Sequence, residues 1–400
     1  MKILMLADVF YPDTVGGAGR VVYHLSLELN KKGHEIHVLT RSPKKRLSFF
    51  QKIDTHFFIH RFHVPANESL GLVFSEIKNS YQAAKRILRE IDFDIVCINQ
   101  CMSALGPLLH KQLNRLPAVY IYYSPWHQEF LTKKGKGNRI NTSKEKTIAQ
   151  FMKWIERLCL KKASRVFVLS NFSFNQVSRL HNIINSKVSI NFAGIDLDKF
   201  KLSEHRNCKL RKEFGIPEDK TLFVTVRNLV PRMGIENLIR SFKNSQPLKQ
   251  TAYLLIGGTG FLNNHLQDIV NLNALQDSIK FLGYIPDKQL PTVYQSADYF
   301  VLPTSSLEGF GLVILEAMAC GTPVLGTPVG AIPEILGRFD ERLIFRGTGW
   351  KDIQEKLEDV TENPDRYQFD QRICREFVGK NYSWEKMADE FEKKALELIN

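Results

Sequence analysis

Short apolar runs alternate along this chain with stretches whose apolar residues recur at helical spacing. Lys2–Leu6 reads as a buried strand, Gly19–Asn30 as a helix with one apolar face, and Gly33 as the stop before a second strand at Glu35–Leu39. Further strand-like runs stand at Thr55–Phe62, Ile95–Ile98, Ala118–Tyr122, Arg165–Leu169 and Val188–Ile190, and helical patterns separate most of them. A similar series restarts at Thr221–Val226 and continues through Ala252–Ile256, Ile279–Phe281, Tyr299–Leu302 and Val324–Leu325. Strand and helix in alternation predict parallel sheets wrapped by helices, so the expected class is α/β with two doubly wound, Rossmann-like units in tandem. The polar stretch Phe192–Cys208 is the expected join. Tyr382–Ile399 is amphipathic, with Ser383 placed to cap a last helix.

Composition fits that picture. Four hundred residues exceed one ordinary core and suit two domains, and 44% hydrophobic with 24% charged residues is the balance of a soluble globular chain. No run of eighteen apolar residues could span a membrane. The opening MKILMLADVF is interrupted by Asp8 and reads as a buried strand rather than a signal peptide, which predicts a cytoplasmic protein. Cys97, Cys101, Cys159, Cys208, Cys320 and Cys374 are scattered without paired metal-ligand spacing; they read as reduced core thiols, and no metal site is expected. Charge is uneven. Residues 1–200 carry 30 Lys and Arg against 15 Asp and Glu, and the remainder is close to neutral. The basic half points to a polyanionic partner: anionic lipid, an acidic saccharide or nucleic acid.

In doubly wound sheets, ligands sit beyond the carboxyl ends of the strands, so the loops after strands hold the candidate chemistry. The richest segment is 298–334, DYFVLPTSSLEGFGLVILEAMACGTPVLGTPVGAIPE. A strand runs into a polar loop with Glu308, then Gly309, Phe310 and Gly311, then a helix from about Leu312 to Ala319 that carries Glu316 and stops at Gly321. Glycines opening a helix expose N–H groups at its positive end, a ready phosphate site. Arg227 and Arg232 in VRNLVPRMG follow another strand and could clamp a diphosphate. Gly16 and Gly17 of GGAGR admit close backbone approach after the first strand, or merely make a tight turn; Arg20 follows. Gly258 and Thr259 lie in IGGTG, at another strand end. YYSPWHQE offers Tyr123, Trp126, His127 and Glu129. Lys133–Lys162 sets Phe151, Trp154, Ile155, Leu158 and Leu160 among lysines and arginines, the pattern of a membrane-surface helix or of an ordinary domain helix with a solvated face.

Residues 298–334 resemble the donor-binding segment of glycosyltransferase family 4, and GGAGR, VRNLVPRMG, IGGTG and FLGYIP before it and YSWEKMA after it stand in the family's order. The resemblance implies the GT-B fold: residues 1–195 on the acceptor side, joined by the final helix (about 382–400), and 196–381 on the donor-nucleotide side, facing across a deep cleft. It implies a retaining transferase acting on a nucleotide-diphosphate sugar, with a UDP-sugar the first expectation and no metal required. It places Glu308 at the donor sugar, Glu316 at the ribose, and the N–H groups of Gly309, Phe310, Gly311 and Leu312 at the diphosphate. Many relatives have Lys at Met233 and an acidic residue near Thr259. The position of the family's sugar-holding His falls on Tyr123, with His127 four residues on. The implied acceptor is a saccharide or glycolipid, as in surface polysaccharide or glycoconjugate synthesis, with possible contact of the basic half to the inner face of a membrane.

Three other readings compete. A nucleotide-sugar epimerase would need an acid/base set around the sugar that is not identifiable here. A nucleic-acid binder would need a reading module that the sequence lacks, and it leaves EGFG unexplained. A silent paralogue that binds without turnover is kept open by Met233 and Tyr123.

Overall fold

The computed structural model describes residues 1–14, 16–42, 47–64, 70–134, 142–203 and 209–400; Cys208 and parts of the expected join and of the 133–162 segment lie outside them. The chain divides into two compact units. The first contains Met1–Gln128, Ser143–Gly194 and Trp384–Asn400, and the second contains Glu129–Thr142 and Ile195–Ser383.

The strands of the first unit are β1 (Lys2–Ala7), β2 (Glu35–Ser42), β3 (Phe50–Asp54), β4 (Phe57–His63), β5 (Ile95–Ile98), β6 (Ala118–Tyr122), β7 (Arg165–Val168) and β8 (Val188–Ile190). They form one sheet in the order β3-β4-β2-β1-β5-β6-β7-β8. The central strands are buried on both faces, which is why they read as unbroken apolar runs rather than alternating ones. Leu4, Leu6, Val96, Ile98, Tyr120 and Val166 anchor a core on which the helices pack. The strand expected at Thr55–Phe62 is present as β4, and an unexpected strand, β3, precedes it and pairs antiparallel with it as a hairpin. FQKID is largely exposed, so it carries no apolar signature.

The second unit holds β9 (Thr221–Val226), β10 (Ala252–Gly257), β11 (Ile279–Gly283), β12 (Tyr299–Leu302) and β13 (Val324–Gly326), all parallel, in the order β11-β10-β9-β12-β13. Successive strands therefore leave β9 first on one side and then on the other. The order reverses between β9 and β12, and at such a reversal the following loops splay apart and leave room for a ligand. In the first unit the same reversal falls between β1 and β5.

Candidate active site

The loops after β9 and β12 meet at the reversal of the second sheet. After β9 the chain makes one tight turn, Pro231–Met233, and passes through Gly234 at φ 70°. A side chain there would lie 1.8 Å from the Pro303 carbonyl oxygen, so the two backbones touch and only glycine fits. The Ser305 N–H donates to the Arg232 carbonyl at 2.8 Å, and the Arg232 side chain returns the contact, donating from Nη1 to the Leu307 carbonyl at 3.0 Å. Leu307 itself sits at φ 58°, a left-handed backbone that a leucine adopts only when its surroundings impose it.

That strained residue delivers Glu308. Its carbonyl accepts from the Ala331 N–H at 3.0 Å, and its carboxylate accepts from Arg227 Nη2 at 2.6 Å. Both side chains of this pair are nearly buried. Arg227 also lies against Met233, with Nη2 2.9 Å from the sulfur. The helix that follows, Leu312–Ala319, opens at Gly311, whose carbonyl accepts from the Ile314 N–H at 2.8 Å, and it points its positive end at this loop. Phe310 packs edge-on against Tyr382. Glu316, one turn in, is buried and accepts from the Tyr294 hydroxyl at 2.7 Å. The IGGTG loop presses on the same place: the Arg227 N–H donates to the Gly257 carbonyl at 3.0 Å and the Leu229 N–H to Thr259 at 2.9 Å, beside Gly258. Arg227, Arg232, Gly258, Glu308 and the helix start at 309–312 thus converge on one loop cluster. A carboxylate, a guanidinium and the positive end of a helix together can bind sugar hydroxyls and a diphosphate.

The remaining candidates belong to the first unit. Gly16 caps the helix Gly17–Lys31, and a Cβ on it would meet nothing within 4 Å, so no packing requires a glycine there. The Tyr123 hydroxyl donates to Asn99 Oδ1 at 2.8 Å. His127 is buried, with Nδ1 3.7 Å from Glu156 Oε2; His181 Nε2 lies 3.1 Å from the same oxygen. Burial pushes the Glu156 carboxyl up, and the His127 and His181 rings beside it more than offset this, leaving it below its ordinary value.

At the β1/β5 reversal stands a second pair of carboxylates, Glu76 buried and Asp8 partly so. Asp8 Oδ1 accepts from the Ser103 N–H at 2.7 Å, the Ser103 hydroxyl donates to Glu76 Oε1 at 3.4 Å, and Arg41 Nη1 is 3.7 Å from Glu76. Burial raises both carboxyls, and the neighbouring Asp8 helps push Glu76 up to about 7. Sequence reasoning missed this group and the Glu156–His181 contact. Asp8 carried a signal, a charge breaking an apolar strand; Glu76, Glu156 and His181 lie in ordinary helical patterns.

Residues 207–373 match the family model for glycosyl transferases, group 1, and residues 15–199 match glycosyltransferase family 4. An uncharacterized glycosyltransferase of Methanocaldococcus jannaschii is 25% identical across 98% of this chain and 96% of its own length. The fold superposes on sucrose-phosphate synthase from Thermosynechococcus elongatus with a TM-score of 0.84 at 20% identity, covering 100% and 99% of the two chains. It also matches a protein of Anabaena solved in complex with UDP-glucose, with a TM-score of 0.73, 17% identity and full coverage of both chains. These superpositions establish the GT-B fold. With one family model on each unit, the chain belongs to the family 4, group 1 glycosyltransferases and is a glycosyltransferase.

Proposed function

We propose that this glycosyltransferase moves a sugar from a nucleoside-diphosphate sugar, a UDP-sugar first among them, to a saccharide or lipid-linked acceptor with retention of anomeric configuration. The observation that carries the reading is the Arg227–Glu308 contact of 2.6 Å, held beside a helix start at the strand-order reversal of the second unit. A donor diphosphate entering there competes for the Arg227 guanidinium and frees the Glu308 carboxylate to accept hydroxyls of the sugar. The N–H groups at 309–312 take phosphate oxygens, and Glu316, steadied by Tyr294, takes the ribose. The anomeric C–O bond then breaks, its electron pair leaving on the diphosphate, where Arg227 and the helix start stabilise the growing charge without a metal. The acceptor oxygen bonds to the same face of the oxocarbenium-like sugar and passes its proton to the departing phosphate. Arg232 acts as a positioning residue, holding the Leu307 carbonyl. His127 is turned toward Glu156 and His181, so this reading gives sugar recognition to Glu308.

The complex of the Anabaena protein with UDP-glucose supports this donor class. The basic first half, together with exposed Phe151, Trp154 and Leu158, supports docking on an anionic membrane surface. The test incubates the pure chain, without added metal, with UDP-, GDP- and ADP-sugars, scoring thermal shift and slow donor hydrolysis. One donor should stabilise and be turned over by the wild type. Glu308→Ala and Glu316→Ala should each lose about 10²-fold or more of that turnover. If heparin shifts the protein and no nucleotide sugar does, the donor reading fails.

A further inference from the structure

His127, Glu156 and His181 come from three separate helices, Trp126–Lys134, Ser143–Lys162 and Asn171–His181, yet all three residues belong to the first unit and their side chains converge. One donor atom from each lies within 4.8 Å of the others. All three residues are buried, Glu156 and His181 at 1% exposure. The facing atoms are close, 3.1 and 3.7 Å from Glu156 Oε2, but fall short of hydrogen-bond geometry: His127 Nδ1, Glu156 Oε2 and both nitrogens of His181 make no hydrogen bond among the described residues. Burying four such polar atoms outside hydrogen-bond geometry is costly, and buried polar groups in native proteins are nearly always hydrogen-bonded. A cation at their centre would satisfy three of them together.

We propose that His127, Glu156 and His181 bind a divalent transition-metal ion of the zinc type. Two imidazoles and a carboxylate select zinc or cobalt over magnesium or calcium, which prefer all-oxygen shells. Zinc bonds of about 2.0–2.2 Å set tetrahedral ligand atoms roughly 3.3 Å apart, so ligand atoms now up to 4.8 Å apart need to close by about 1.5 Å at the widest. The other carboxylate oxygen is already oriented, accepting from the Trp126 N–H at 3.4 Å, the kind of outer contact that fixes metal ligands. Three protein ligands leave one tetrahedral position for water. The ion would tie the start of the helix carrying His127 to the two helices that follow and so stabilise the first unit. It concerns the first unit only, whereas the groups proposed for the diphosphate all belong to the second, and neither proposal depends on the other.

The test uses the full chain stripped with a chelator and dialysed. Titration with Co²⁺ should give one equivalent with the visible absorption of low-coordinate cobalt, Zn²⁺ should displace it, and Zn²⁺ should raise the thermal midpoint by several degrees. His181→Gln and His127→Gln should each weaken Zn²⁺ binding about 100-fold in competition with a chromophoric chelator, while keeping the far-ultraviolet circular dichroism of the wild type. Glu156→Gln should behave alike; if it fails to fold, the two histidine variants still decide. No stoichiometric binding by the wild type, or unchanged binding in both histidine variants, would overturn the proposal. In the first case the cluster is held by protons alone, and in the second the ion sits elsewhere.

Discussion

Gly330 shows how much of this site is set by single residues. Its φ of 61° is left-handed, and a Cβ there would lie 2.0 Å from the Glu308 carbonyl oxygen. Gly330→Ala therefore carries the left-handed cost of about 1–2 kcal/mol and also pushes the Glu308 backbone away from Arg227. We expect the thermal midpoint to fall by a few degrees and kcat by about 100-fold, because displacements near an ångström at a reacting centre cost that much. Donor turnover within twofold of wild type would show that Glu308 is not held by this contact. At this scale legibility was uneven. Glu308 and Glu316 stood out because strand, loop, glycines and helix follow one another locally. Arg232, expected at a phosphate, also donates to the Leu307 carbonyl, a contact visible only once the loops after β9 and β12 are side by side.

Between elements, the helix Ser143–Lys162 separates two jobs that its sequence mixes. Its apolar residues read as one stripe, but Ile155 and Leu160 turn into the core with Met152 and Cys159. Phe151, Trp154 and Leu158 turn outward, with Phe151 and Trp154 stacked 5.9 Å apart. Lys153, Arg157 and Lys161 flank that outer face. Basic residues around an exposed aromatic pair suit the headgroup region of an anionic bilayer. The wild type should therefore sediment with phosphatidylglycerol vesicles, not with phosphatidylcholine vesicles, and high salt should release it. Trp154→Glu removes roughly 2 kcal/mol of apolar burial and should weaken vesicle binding at least tenfold. Equal binding to both lipids, or no effect of the substitution, would reassign the face to a protein partner or to none. The strands were the most legible elements, because burial on both faces writes them as apolar runs. The edge strand β3 escaped because most of FQKID faces solvent, and its pairing with β4 is recorded in no pattern of its own.

At the scale of the molecule, the first unit is built from both ends of the chain. The last helix, Trp384–Ile399, returns to it and buries Met387, Ala388, Phe391 and Ala395. Trp384 stacks on His24 at 4.8 Å with the rings nearly parallel, Phe391 packs 6.0 Å from Phe167, and the Met387 carbonyl accepts from Asn191 at 3.0 Å. Lys32 bridges Asp389 at 2.6 Å and Glu392 at 3.2 Å, but partly exposed ion pairs contribute little beside that apolar burial. The sheet of the first unit thus lacks part of its cover until the last residues arrive, long after its own strands have been made. Phe391→Ala opens a cavity in this seam and should cost about 3–5 kcal/mol in the unfolding of the first unit. Urea titration followed by tryptophan fluorescence reads this directly, since Trp126, Trp154 and Trp384 all belong to that unit and Trp350 to the other. Lys32→Ala should leave the same transition almost unmoved. If the two substitutions shift it equally, charge rather than packing fastens the returning helix, and the first unit owes its closure to its surface.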